Sequence, residues 1–114
     1  MKIAFDLNGV LDTHGDVFWP LIKVLRSSGH AVGLCTGNAS WTIPPDWRDY
    51  FDFFITCDDD AEQIRVCGRI ANSHEEKMRW WKSAAVKEHK VDVLFDDWAE
   101  VISGTTAIQI LPKV

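Results

Sequence analysis

Four short stretches carry the residues able to do chemistry. Residues 2–12 read KIAFDLNGVLD: an apolar run, Ile3-Ala4-Phe5, delivers one carboxylate, Asp6, and the chain then turns through Asn8-Gly9. Thr36-Gly37-Asn38 follows a second apolar run, and Asp96-Asp97 follows another at residues 91–95. Between them, Lys77 lies just inside a helix start. Asp6, Asp96 and Asp97 on one edge would repel one another and any phosphate. A hard divalent cation removes that conflict, and Mg²⁺ commonly binds through one or two carboxylates plus a substrate phosphate. The Asp6 carboxylate can attack phosphorus as a covalent nucleophile. The Thr36 hydroxyl and the N–H groups of Gly37 and Asn38 can hold phosphate oxygens, and Lys77 can place a positive charge on the transferring group.

The elements between these stretches must bring them together. An Asn-Gly hairpin at Asn8-Gly9 would need a partner strand at once, and Thr13-His14-Gly15-Asp16 does not alternate as one. A buried parallel strand ending at Asp6 fits better. Pro20 suits the first position of a helix, with Leu21, Val24 and Leu25 as its apolar face and Gly29 as its stop. Ala31-Val32-Gly33-Leu34-Cys35 is the next strand, which closes a βαβ unit and makes the pair parallel. Pro44 and Pro45 exclude a long helix nearby, leaving a short one from Asp46. Residues 52–56 read as a third strand and residues 64–70 as a small extra strand pair. Ser73 with Glu76 three residues on is a capping box that opens a helix running to about His89, with Met78, Trp81 and Ala85 inward. Residues 91–95 and 107–110 are two more strands, with a short helix from Trp98 to Gly104 between them. Alternating strands and helices predict one domain over residues 1–114, a three-layer α/β/α sandwich on a parallel sheet.

In such a sheet the strand ends point to one edge, where open α/β folds bind ligands. Asp6, Thr36 and Asp96-Asp97 sit at such ends. Lys77 begins a helix running antiparallel to the strand after it, so it reaches the same edge. Arg79 and Lys82 compete for its role but lie deeper in the helix. Asp97 has the simpler alternative of capping the next helix, and Asp58-Asp59-Asp60 reads as a solvated loop with a weaker claim on a metal. Trp41 and Trp47 lie on a loop near the active edge, where indoles can stack on a substrate ring.

Taken in order, the four stretches resemble the motifs of the haloacid-dehalogenase-like hydrolase superfamily and span residues 3–97. Phe5-Asp6-Leu7-Asn8-Gly9-Val10-Leu11 is similar to the first motif, Leu34-Cys35-Thr36-Gly37-Asn38 to the second, Lys77 to the third and Leu94-Phe95-Asp96-Asp97 to the fourth. The resemblance implies a Rossmann-like sheet in strand order 5-4-1-2-3, an aspartyl-phosphate on Asp6, and Mg²⁺ held by Asp6, Asp96, Asp97 and the Asn8 backbone carbonyl. The chain has no room for a cap domain after Leu11 or within residues 57–72, which leaves an open site suited to a bulky phosphorylated substrate. Phosphatases of this family carry Asp where this chain has Asn8. An amide can hydrogen-bond but cannot cycle a proton, and acid–base help is typically worth ~10²–10⁴ in rate. The expected activity is therefore a Mg²⁺-dependent phosphatase slowed at Asn8, and the alternative is a phosphate-binding module of weak or no activity. A receiver domain shares the sheet and the acidic Mg²⁺ site, but would place its acidic pair early and its phosphorylated Asp at the third strand.

Composition bounds the rest. At 46% apolar and 25% charged, the 114 residues suit a soluble globular domain. No apolar run nears the ~20 residues of a membrane span, and the N-terminus does not read as a signal peptide. A net charge of −5 argues against extended nucleic-acid binding. Cys35, Cys57 and Cys67, odd in number and without a Cys-x-x-Cys pair, suit reduced thiols in the cytoplasm.

Overall fold

The computed structural model describes residues 1–112. Five strands, β1 (Lys2–Phe5), β2 (Ala31–Cys35), β3 (Phe53–Ile55), β4 (Val93–Phe95) and β5 (Ile108–Ile110), form one sheet in the order β3-β2-β1-β4-β5. Every pairing is parallel. This is the expected 5-4-1-2-3 order read from the other side, and the fold is Rossmann-like.

Alternation along the strands builds two cores. Ile3, Phe5, Val32, Leu34 and Phe95 face Phe18 and Ile22 of α1 (Asp12–Ser27). Ala4, Cys35, Ile55 and Leu94 face α3 (His74–Glu88), which contributes Met78, Trp81, Ala85 and Val86. Helices thus cover both faces, giving three layers. Ser73 caps α3 as expected, accepting the Glu76 N–H at 3.1 Å. Glu76 returns its carboxylate to the Asn72 N–H rather than to that of Ser73. No helix among the described residues is long and apolar enough to cross a membrane.

Four local expectations fail for physical reasons. Pro20 does not open α1: the element begins at Asp12, kinks at His14 (φ −119°, ψ 29°), and carries Pro20 inside its main run. The buried face is Phe18 and Ile22, with Leu21 and Leu25 packed beside them and Val24 exposed. Residues 64–70 form no strand pair. They lie largely in α2 (Asp60–Cys67), which Asp59 caps by accepting the Glu62 N–H at 2.9 Å and left-handed Gly68 ends. Residues 98–104 form turns, not a helix, because Glu100 takes a φ of +66°. Trp47 packs edge-on against Trp19 at 5.0 Å, and Trp41 is 73% exposed.

Trp81 is the largest side chain to be fully buried. Trp81→Ala should cost about 3–5 kcal/mol in urea unfolding, the scale of an emptied core aromatic. Trp41→Ala should stay within about 0.5 kcal/mol, as surface changes do. Equal effects would contradict this layering.

Candidate active site

The sheet ladder itself places the candidate site residues. Phe5 pairs with Leu34 on one side and Phe95 on the other. Hydrogen bonding runs one residue past each strand: Asp6 N–H donates to Phe95 O at 2.8 Å, Thr36 N–H to Ile55 O at 2.9 Å, and Asp96 N–H to Ile110 O at 3.1 Å. Asp6, Thr36 and Asp96 therefore leave three neighbouring strands at one level. Together with Asn8, Gly9, Gly37, Asn38, Asp97, His74, Met78 and Trp98 they line a cavity of about 150 Å³.

After Asp6 the chain turns through Leu7–Leu11, extended at Asn8 and left-handed at Gly9, and passes into α1. Gly9 is required there twice. Its φ is +78°, a region L side chains rarely adopt, and a Cβ there would collide with the Asp97 carboxylate. Asp12 holds the turn by accepting the Gly9 N–H at 2.7 Å. No domain is inserted here, and only α2 stands between β3 and α3.

A buried ammonium organises the carboxylates. Lys82 Nζ donates to Asp6 Oδ1 at 2.9 Å and to Asp96 Oδ2 at 2.6 Å, and its side chain is fully buried. Lys77, the expected cation, is not in this cavity. It lines a neighbouring hollow with Cys57, Asp59, Asp60 and Asn72. Five residues at ~100° each turn Lys77 well away from the Lys82 face. Depth in the helix does not keep Lys82 from the edge, because helical side chains lean toward the N-terminus and a lysine stem is long. A signal was available: position 82 falls on the stripe Met78, Trp81, Ala85, so a lysine there is buried and must have partners.

Charge follows from this geometry. Burial pushes the Asp6 carboxyl up to about 6, against the pull of Lys82 and with the push of Asp96. Burial alone would lower the Lys82 pKa, but the facing carboxylates of Asp6 and Asp96 outweigh it and leave it raised. Burial, and then Asp96, push Asp97 up as well. Oxygens of Asp6, Asp96 and Asp97 lie within 4.8 Å of one another. With all groups ionised, three carboxylates and one ammonium sum to −2. An all-oxygen donor set with that charge fits a hard divalent cation.

The anion cradle is smaller than expected. Thr36, 1% exposed, accepts the Asn38 N–H on its Oγ1 at 3.1 Å, so that N–H is already engaged. The Thr36 hydroxyl proton and the Gly37 N–H are the donors left for an oxyanion. Asn8 lines the cavity, as expected. Asp97 caps no helix, since only turns follow it. Asp58 accepts from Ser40 N–H, Ser40 Oγ and Thr56 Oγ1, and Asp59 caps α2, so that acidic run is structural. Trp41 and Trp47 do not line the cavity; Trp98 and His74 do, and sequence reasoning missed both.

Removing one partner of a buried ion pair typically costs about 3–5 kcal/mol. Lys82→Met should lose stability on that scale in denaturant unfolding, while Lys77→Met should change it by no more than about 0.5 kcal/mol. The opposite ranking would return the structural cation to Lys77.

Compared with protein-family models, with curated proteins and with solved structures, the chain matches none, so the resemblance to the haloacid-dehalogenase-like hydrolases rests on its motifs alone.

Proposed function

We propose that the protein is a Mg²⁺-dependent phosphomonoester hydrolase that works through an aspartyl-phosphate on Asp6. The observation that carries this reading is the Lys82 bridge. It holds Asp6 and Asp96 at hydrogen-bond distance beside Asp97, in a cavity that also contains the Thr36-Gly37 donors. Asp6 has one oxygen held by Lys82, which leaves Oδ2 to act as nucleophile. Bound among Asp6, Asp96, Asp97 and the Asn8 carbonyl, Mg²⁺ would neutralise charge on the phosphoryl oxygens. Thr36 and Gly37 orient those oxygens, and Lys82 keeps the Asp6 carboxylate ionised and aimed. The three free cysteines suit a reducing compartment such as the cytoplasm.

Asn8 divides the reaction into unequal halves. In the first, Asp6 attacks phosphorus and the leaving-group oxygen departs with the bond's electron pair. In the second, water attacks the aspartyl-phosphate, and a base at position 8 would take its proton. The Asn8 amide cannot. The same residue favours a second reading, a site that binds phosphate without turnover.

With Mg²⁺ and p-nitrophenyl phosphate, the wild type should release about one equivalent of nitrophenol in a burst, the fingerprint of a slow second step, and then turn over slowly. Asn8→Asp should raise the steady-state rate by ~10²-fold or more. For alkyl phosphates, whose leaving groups need a proton, the same substitution should also speed the first step. No burst and no gain in Asn8→Asp would leave the binding module as the better reading.

A further inference from the structure

The cavity has one aromatic wall. Met78, His74 and Trp98 line the cavity next to the polar groups, Met78 against Gly37 and Trp98 against Asp96. The His74 and Trp98 rings meet edge to face, with centroids 5.6 Å apart and planes at 77°. Both rings reach the surface, Trp98 with 36% exposure. Trp98 is also tied to the site from both ends of its backbone unit. Its N–H donates to Asp96 Oδ1 at 2.9 Å, and its carbonyl accepts from Gln109 Nε2, which also donates to Asp96 O at 3.2 Å. The carboxylate that binds Lys82 thus also fixes the position of the tryptophan.

We infer that this site selects phosphate esters whose leaving group is an aromatic ring, that is, aryl phosphates such as a phosphotyrosine side chain. The inference rests on the phosphohydrolase reading and deepens it. Two independent features point the same way. Asp6, Thr36 and Asp96 are buried while Trp98 and His74 are exposed, so a phosphoryl group held at the buried residues leaves the ester's organic part at the mouth, beside those two rings. Aromatic rings there gain edge-to-face or offset-stacked contacts beyond simple burial. The second feature is Asn8. A phenol has a pKa near ~10, so a phenolate leaves without a proton donor, whereas an aliphatic alkoxide does so poorly. A site lacking its acid is least handicapped with aryl esters.

The step balances without a further reagent. Asp6 Oδ2 forms the new bond to phosphorus, the P–O(aryl) bond breaks, and its electron pair goes to the phenolic oxygen, which takes a proton from water. Water then attacks phosphorus and breaks the P–O(Asp6) bond. Inorganic phosphate leaves, the Asp6 carboxylate returns, and the attacking water's proton goes to solvent.

Aryl esters react faster intrinsically, so the informative quantity is a change in ratio. With Mg²⁺ present, kcat/KM for phenyl phosphate over propyl phosphate should fall about 3–10-fold in Trp98→Ala, the range that aromatic pairing supplies, and should be largely restored in Trp98→Phe. Calorimetry with phenylphosphonate and propylphosphonate should show the same preference in the wild type and its loss in Trp98→Ala. His74→Ala and the wild-type phosphonate comparison test the wall even if Trp98→Ala does not fold. Turnover with an unchanged ratio and no phosphonate preference would overturn the aromatic subsite and leave the phosphohydrolase reading standing. No turnover of any ester, with phenylphosphonate still preferred through Trp98, would overturn phosphohydrolysis and keep the aromatic subsite.

Discussion

A single ammonium ion in the interior sets the terms for the rest of the structure. Lys82 Nζ lies where two carboxylates from adjacent parallel strands, Asp6 and Asp96, come to one level. Burial disfavours the charged form of Asp6, and Lys82 beside the two carboxylates opposes it. The lysine could not stay charged without them. Each is tolerable only because the register of β1 with β4 and the seating of α3 are fixed together. Trp81 and Ala85, packed against Ala4 and Leu94, hold α3 at that height. The packing of the apolar core and the placement of the charges are therefore one constraint.

The loops obey the same constraint. Gly9 lets the chain turn sharply because no side chain can stand between it and Asp97. Asp12 secures the turn, and Gln109 braces the Asp96–Trp98 segment from β5. What results is a cavity with an acidic floor, a short anion cradle and one aromatic wall. The wall comes from segments that the core already anchors, so its geometry does not depend on a cap domain.

Much of this was legible in the sequence, and the reasons differ by element. The strands announced themselves as short apolar runs, and three of them, β1, β2 and β4, end at the polar residue that faces the cavity. The capping pair Ser73 and Glu76 located α3. What failed was any inference that needed three-dimensional reach. Lys82 looked too deep because depth was counted along the helix axis, while a lysine side chain extends back along it. Residues 64–70 read as strand because the cap of α2, Asp59 with Glu62, is hidden in an acidic run that looks merely solvated. Pro20 suits a helix start, but Asp12 already supplies an acidic first turn eight residues earlier. Trp98 was read as part of a helix, and only the left-handed Glu100 shows why the chain turns there and leaves the indole at the cavity. Tryptophan count alone could not say which indole faces the site.

The proposed chemistry makes Asp6 the residue that carries phosphate between the two half-reactions, with Asn8 making that intermediate long-lived. The most direct measurement is mass spectrometry of the wild-type protein, acid-quenched during turnover of an aryl phosphate with Mg²⁺ and then digested. The account predicts a phosphate adduct on the peptide containing Asp6, acid-stable but discharged by hydroxylamine as an acyl phosphate is. An adduct on any other residue, or none while substrate is being consumed, would contradict it.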